Sequence, residues 1–245
     1  MQRAKIVSVA NQKGGVGKTT TTVTAGAGLA ERGHKVLCVD ADPQATLITW
    51  SARAPADKGL PFTTVSLHES KDKIYREIKK FVDDYDYILV DCPPSVEDPR
   101  AGVVMMVSDA VVIPTSSSPV DFWSSQDFVK EVYKCFSFNK TLRPIWLLNK
   151  SDGKRLLDKS VDKSIKKSLI PRFERIVPTR ECYKQASAFG QSVFQMSGAG
   201  PKAAKAEFND IVDELIKLVG KPAPDLDALR EQQEAEEANK TTAEA

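Results

Sequence analysis

What most limits the fold of this chain is an alternation along it. The runs "KIVSVAN" (5–11), "KVLCVD" (35–40), "YDYILVD" (85–91), "DAVVIPT" (109–115) and "RPIWLLNK" (143–150) are short and rich in β-branched and apolar residues. Strands buried on both faces read this way, because neither face has to be polar. Between them lie stretches of mixed apolar and polar spacing, at 18–32, 68–83, 97–107 and 120–137. Such βαβα alternation predicts an α/β fold, a doubly wound and mostly parallel sheet flanked by helices, with ligands at the carboxyl ends of its strands. Residues 154–168, 181–189 and 202–219 read as further helices, and "RIV" (175–177) as a sixth strand.

A chain of 245 residues can bury a sizeable core, and one domain over 1–220 is expected. Residues 221–245 change character: two prolines, then Ala, Glu and Gln, three basic against seven acidic residues and no aromatic. That segment is expected to be an acidic, mobile tail or a weakly packed helix. The longest apolar run, "AGVVMMVSDAVVIP" (101–114), is broken by Ser108 and Asp109 and is shorter than the roughly 20 residues of a spanning helix. The N-terminus passes from "MQRAK" straight into a strand-like run, so neither export nor membrane insertion is expected. Cys38, Cys92, Cys135 and Cys182 form no C-x-x-C pair, and are expected to be reduced, buried thiols of a cytoplasmic protein.

The strongest chemical signal is "NQKGGVGKTT" (11–20), placed between the first strand and the first helix. Gly14, Gly15 and Gly17 let backbone N–H groups close around phosphate oxygens, and the following helix N-terminus adds partial positive charge. Lys18 is expected on the β- and γ-phosphates and the Thr19 hydroxyl on Mg²⁺. Yet the match to G-x-x-x-x-G-K-[ST] is imperfect, because Gln12 stands where the pattern has glycine.

The K-G-G-x-G-K-T form of this loop resembles the deviant Walker A group, the ParA/MinD family of ATPases. The resemblance implies that Lys13 is a signature lysine, reaching across an ATP-sandwich homodimer to the phosphates held by the other subunit. It also implies ATP contacts from Lys13, Gly14, Gly15, Val16, Gly17, Lys18, Thr19 and Thr20, with Mg²⁺ as the second cofactor. "VDADPQ" (39–44) resembles the family's switch I segment. There Asp42 orients the attacking water and Asp40 supports the Mg²⁺ shell, although Asp40 also fits an Asx turn. "ILVDCPPS" (88–95) resembles Walker B with switch II, which brings Asp91 to the metal. The implied catalytic set is Lys13, Lys18 and Asp42, and the implied metal set Thr19, Asp40, Asp42 and Asp91. Asn149, ending "IWLLN", either reads an adenine edge or caps the strand. Val177, Pro178 and Thr179 are expected to flank the nucleotide, and either Phe122 or Trp123 of "SSSPVDFW" to lie at the dimer face.

Over 150–184 there are eleven Lys/Arg against five Asp/Glu. Lys154, Arg155, Lys159, Lys163, Lys166, Lys167 and Arg180 are the candidates for contacts to DNA phosphates; the helical ones fit a solvated face as well. The resemblance favours DNA, bound without sequence preference, and hence a nucleoid-associated protein. It implies a centromere-binding or adaptor (ParB-like) partner that stimulates hydrolysis, in the manner of short ParA proteins without an operator-binding extension. A MinD-like membrane regulator is the alternative, which the acidic tail disfavours.

Overall fold

The structure is a computed structural model that describes residues 3–94, 98–151, 156–166 and 168–221. The described residues form six strands, β1 (Lys5–Val9), β2 (Val36–Asp40), β3 (Thr63–Ser66), β4 (Tyr87–Asp91), β5 (Ala110–Ser116) and β6 (Arg143–Asn149). They form one sheet in the order β3-β2-β4-β1-β5-β6, every pair parallel. Among the described residues eight α-helices cover it: α1 (Lys18–Glu31), α2 (Thr46–Ala52), α3 (Ile74–Lys79), α4 (Pro99–Met105), α5 (Pro119–Cys135), α6 (Leu156–Lys166), α7 (Glu181–Ala188) and α8 (Ala199–Gly220).

Side-chain alternation along the strands builds a core on each face of the sheet. Ile6, Leu37, Val39, Ile88, Val90, Val111 and Trp146 pack with α3 to α6, through residues such as Ile78, Val104, Phe128 and Ile165. Val7, Val9, Cys38, Leu89, Val112 and Leu147 pack on the other face with α1, α2, α7 and α8, through Val23, Trp50, Ala186 and Phe208. Helix α1 shows the cost of that position in its composition: "TTTTVTAGAG" is small throughout, because the helix is buried between the sheet and α8. All four cysteines are buried free thiols.

Three elements differ from the expectation. The sixth strand is β3, an edge strand whose four residues "TTVS" are exposed at the ends and half-buried between, and which lacks the apolar run of β2 beside it. Residues 175–177 do not form a strand; Val177 makes an isolated parallel bridge beside Asn149, the last residue of β6. Helix α2, seven residues with only Leu47 and Trp50 buried, carries too short a periodic pattern to be read from sequence. No helix among the described residues is long and apolar enough to cross a membrane. Of the expected DNA contacts, Lys154, Arg155 and Lys167 lie outside the described residues, as does the tail beyond Lys221.

Candidate functional site: a phosphate-loop cleft

The chain turns from β1 into α1 through residues 10–17, beside the point where the sheet changes direction from β4 to β5 across β1. Gly15 and Gly17 have φ of 76° and 97°, in the left-handed region that glycine enters without strain. At Gly17 a Cβ would lie 2.3 Å from Asn149 Nδ2, so a side chain there would drive the loop off β6. Gly17 is also the N-cap of α1, with no side chain accepting from the first turn and no acidic residue in it. The helix start therefore keeps free donors and partial positive charge for an anion.

Lys18 is buried, and its ammonium donates to the Lys13 carbonyl at 3.1 Å. Burial pulls its pKa down, against the opposing pull of Asp91, Cys92 and Asp42. Lys13 is placed differently. Its backbone lies in the loop, but its side chain is 41% exposed and its ammonium is 3.4 Å from Asp121 Oδ1.

The carboxylates meet at the strand ends. Asp40 and Asp91 are register partners of β2 and β4. Thr19 Oγ1 donates to Asp91 Oδ2 at 2.6 Å, while Asp91 Oδ1 is buried without a hydrogen-bond partner among the described residues. Burial, more than the charges of Asp40 and Asp42, pushes the Asp91 carboxyl up to about 7, against Thr19 and Lys18. An orphaned acceptor beside a threonine hydroxyl and a second acid is a donor set suited to a hard, oxygen-seeking cation such as Mg²⁺. Asp40 spends its oxygens locally: Oδ1 accepts from Asp42 N–H at 3.1 Å and Oδ2 from Ile48 N–H at 3.1 Å. It thus folds the β2–α2 loop as an Asx turn beside Asp91. Asp42 lines the cleft, its Oδ1 holding the Gln44 N–H at 2.9 Å.

Asn149 lines the cleft and is bonded to the loop. Its Nδ2 donates to the Val16 carbonyl at 3.0 Å and its Oδ1 accepts from Lys150 N–H at 3.0 Å. Lys150 has φ of 55°, and its Nζ donates to the Gly15 carbonyl at 2.5 Å. The sequence reading missed Lys150; the signal for it was only its place after a strand-end Asn. The cleft, about 550 Å³, runs from the loop past Asp42 and Trp50 to a wall of Pro178, Thr179, Arg180 and Tyr183. Its volume suits a nucleotide-sized ligand.

The basic residues separate in space. Lys159, Lys163 and Lys166 are exposed on α6, opposite its buried Val161 and Ile165, with Lys166 paired to Asp162 at 2.9 Å. Arg180 is not part of that face: it lies in the cleft wall, bonded to Glu207 of α8, with Nε at 3.1 Å. Arg175 is likewise paired with Asp210. Part of the local cationic excess is thus neutralised by α8, distant in sequence. On α5, Phe122 is buried against Trp146, ring centroids 5.8 Å apart, and Trp123 is 67% exposed.

A family model described as an AAA domain matches residues 4–58 and 54–143, more than half of the chain. The "Maintenance of carboxysome distribution protein A" of Halothiobacillus neapolitanus is 32% identical over 217 residues, covering 87% of this chain and 97% of that protein. The chain belongs to the ParA/MinD family of P-loop ATPases. The chromosome partitioning protein ParA of Caulobacter vibrioides is 25% identical to this ParA/MinD-family chain over 245 residues, covering 81% of this chain and 90% of its own. The septum site-determining protein MinD of Pyrococcus horikoshii, solved with Mg-ADP, shares the fold at a TM-score of 0.69 and 21% identity, over 89% of this chain and 98% of that one. This chain is accordingly a nucleotide-binding ATPase of the partition and positioning type.

Proposed function

We propose that this ATPase uses Mg²⁺ and hydrolyses ATP slowly, as a timed switch between monomer and dimer. ATP is held by residues 13–20, with Lys18 and the α1 N-terminus neutralising phosphate charge. Thr19 and Asp91, with Asp40 behind them, would hold the Mg²⁺ ion, which when bound would supply charge neutralisation to the phosphates. Asp42, at the cleft edge, orients the attacking water, and Asn149 and Lys150 hold the loop in register with it. In the ATP state two protomers close with nucleotide between them, and Lys13 of each reaches the partner's phosphates. The dimer doubles the lysine face of α6 presented to DNA, so ATP, dimerisation and nonspecific DNA binding are linked. A centromere-binding or adaptor protein on the cargo stimulates hydrolysis and releases the dimer, which places the protein in the cytoplasm on the nucleoid. The names of the two relatives span a protein assembly and a chromosome as cargo.

The observation that carries this reading is the contrast between the two lysines of the loop: Lys18 is buried and lines the cleft, whereas Lys13 is half-exposed, paired with Asp121 and not among the residues lining it. The test is sedimentation of wild type and Lys13→Ala with ATP or ADP, alone, with duplex DNA and with anionic liposomes. Wild type with ATP should dimerise and pellet with DNA; Lys13→Ala should bind ATP yet stay monomeric. A Lys13→Ala protein that dimerises as well as wild type, or ATP-dependent retention on liposomes only, refutes it.

A further inference from the structure

We propose that residues 222–245, the acidic end of this chain, dock on the lysine face of α6 in the same molecule and compete there with DNA phosphates. This rests on the DNA-contacting role of α6 proposed above. Helix α6 turns Val161 and Ile165 inward and Lys159, Lys163 and Lys166 outward. Its own acids do not neutralise that face. Asp158 is buried, and Asp162 is contacted by Lys166 at 2.9 Å and by Arg172 at 2.8 Å. Lys159 and Lys163 are left with no acidic partner among the described residues, whereas α8 answers Arg175 with Asp210 and Arg180 with Glu207. Like charges four residues apart on a helix repel, and an anionic partner removes that penalty.

The chain leaves the fold where such a partner can reach. Lys221, the last described residue, has its carbonyl held by Arg143 Nη2 at 2.6 Å. Arg143 opens β6, an edge strand, and α6 is tied to the same strand: Arg172, which contacts Asp162 of α6, bridges Trp146 of β6. Those two points are three residues apart along β6, ~10 Å. Residues 222–245 carry seven acids against Arg230 and Lys240, and six of the acids fall between 225 and 237. Even at the helical rise of ~1.5 Å per residue these 24 residues span ~36 Å, against ~16 Å for the eleven residues of α6.

Tethering makes weak pairs sufficient. A segment joined to its target by a short linker is present at an effective concentration of about millimolar, so it covers the face although each exposed ion pair contributes little. The same weakness leaves it displaceable by the denser charge of a duplex. A single α6 face displaces its tail for few phosphate contacts, while two faces on one duplex act together. The tail thereby holds the monomer off DNA more strongly than the dimer.

The test uses the full chain. An equal mixture of unlabelled and heavy-isotope-labelled wild type, treated with a water-soluble carbodiimide, should couple tail carboxylates to Lys159 and Lys163 several-fold more than to the exposed Lys79 of α3, within one isotopic form. A variant with Asp225→Asn, Asp227→Asn, Glu231→Gln, Glu234→Gln, Glu236→Gln and Glu237→Gln should bind duplex DNA in fluorescence anisotropy about three- to tenfold more tightly at low salt. That is the factor for a face free in about a tenth to a third of wild-type molecules. The gap should narrow as salt rises. In a Lys159→Gln, Lys163→Gln background the neutralised tail should leave DNA affinity unchanged; an equal gain there overturns competition at α6. Coupling no greater than at Lys79 overturns the docking, whatever the DNA result. Links between isotopic forms put the tail on a second copy and overturn the same-chain contact. Coupling as expected with equal DNA affinities overturns the competition. Coupling as expected in a protein that binds DNA in neither form refutes the DNA reading of α6, and the competition with it.

Discussion

Replacing Asp91 with Asn should make the nucleotide-free protein more stable while destroying its activity. Burial raises the Asp91 carboxyl from 3.8 to about 7, so at pH 7.5 folding must force an ionised acid into a site that disfavours its charge. About three units at 1.36 kcal/mol each amount to about 4 kcal/mol. Asn keeps an acceptor for Thr19 but leaves an amide N–H₂ where Asp91 Oδ1 has no partner, which costs about 1–3 kcal/mol. The net gain is about 1–3 kcal/mol, or a rise in Tm of about 3–10 °C for a chain of this size. The sign depends on pH in a defined window. A raised carboxyl pKa leaves stability intact below about 4 and erodes it as pH rises through about 7. Near pH 5 the wild-type cost is already down to about 2 kcal/mol, so the advantage of Asn should shrink by about that much or vanish. Thermal melts of both proteins in EDTA at pH 5 and 7.5 decide it, the difference between the proteins cancelling every other carboxylate. An Asn variant less stable at pH 7.5, or an equal gap at both values, would refute the reasoning.

Asn149→Ala should weaken ATP, GTP and inorganic tripolyphosphate together, by about tenfold for one lost loop hydrogen bond; calorimetric titration showing a loss confined to ATP would return Asn149 to the base. Gly190→Ala should lower stability by about 2–4 kcal/mol in urea denaturation, since at φ of 64° its Cβ would lie 2.1 Å from Ala54 N. An unchanged midpoint would show that the α7–α2 junction gives way. Asp42→Ala should leave ATP-dependent dimerisation intact and slow phosphate release about a hundredfold, in the range for a lost proton acceptor; phosphate release at the wild-type rate would remove Asp42 from the reaction.

Strands β2, β4, β5 and β6 were legible because each carries an apolar run, as does β1 with a break only at Ser8. Strand β3 was not, since none of its four residues is buried and "TTVS" has no apolar run, whereas β6 at the other edge is buried almost throughout. Within the site, the residues legible in sequence are those whose spacing is local: 13–20 in one turn, Asp40 with Asp42, and Asp91 at the end of a strand. The partners that give them their state come from elsewhere. Lys150 and Asn149 meet Gly15 and Val16 from more than a hundred residues away. Glu207 draws Arg180 out of the basic set, and no count over a sequence window includes it.

The sequence by itself determined that this chain folds as a parallel sheet with a phosphate loop after its first strand, because hydrophobic period and glycine placement are local properties of the backbone. It also set two lysines five residues apart in that loop. Only the tertiary structure decided that they do different things. Lys18 is closed in by α1 and the strand ends, while Asp121, carried in by a helix over a hundred residues later, holds Lys13 at the surface. Burial and charge pairing depend on what packs against a residue, and that is fixed only when the distant elements come together.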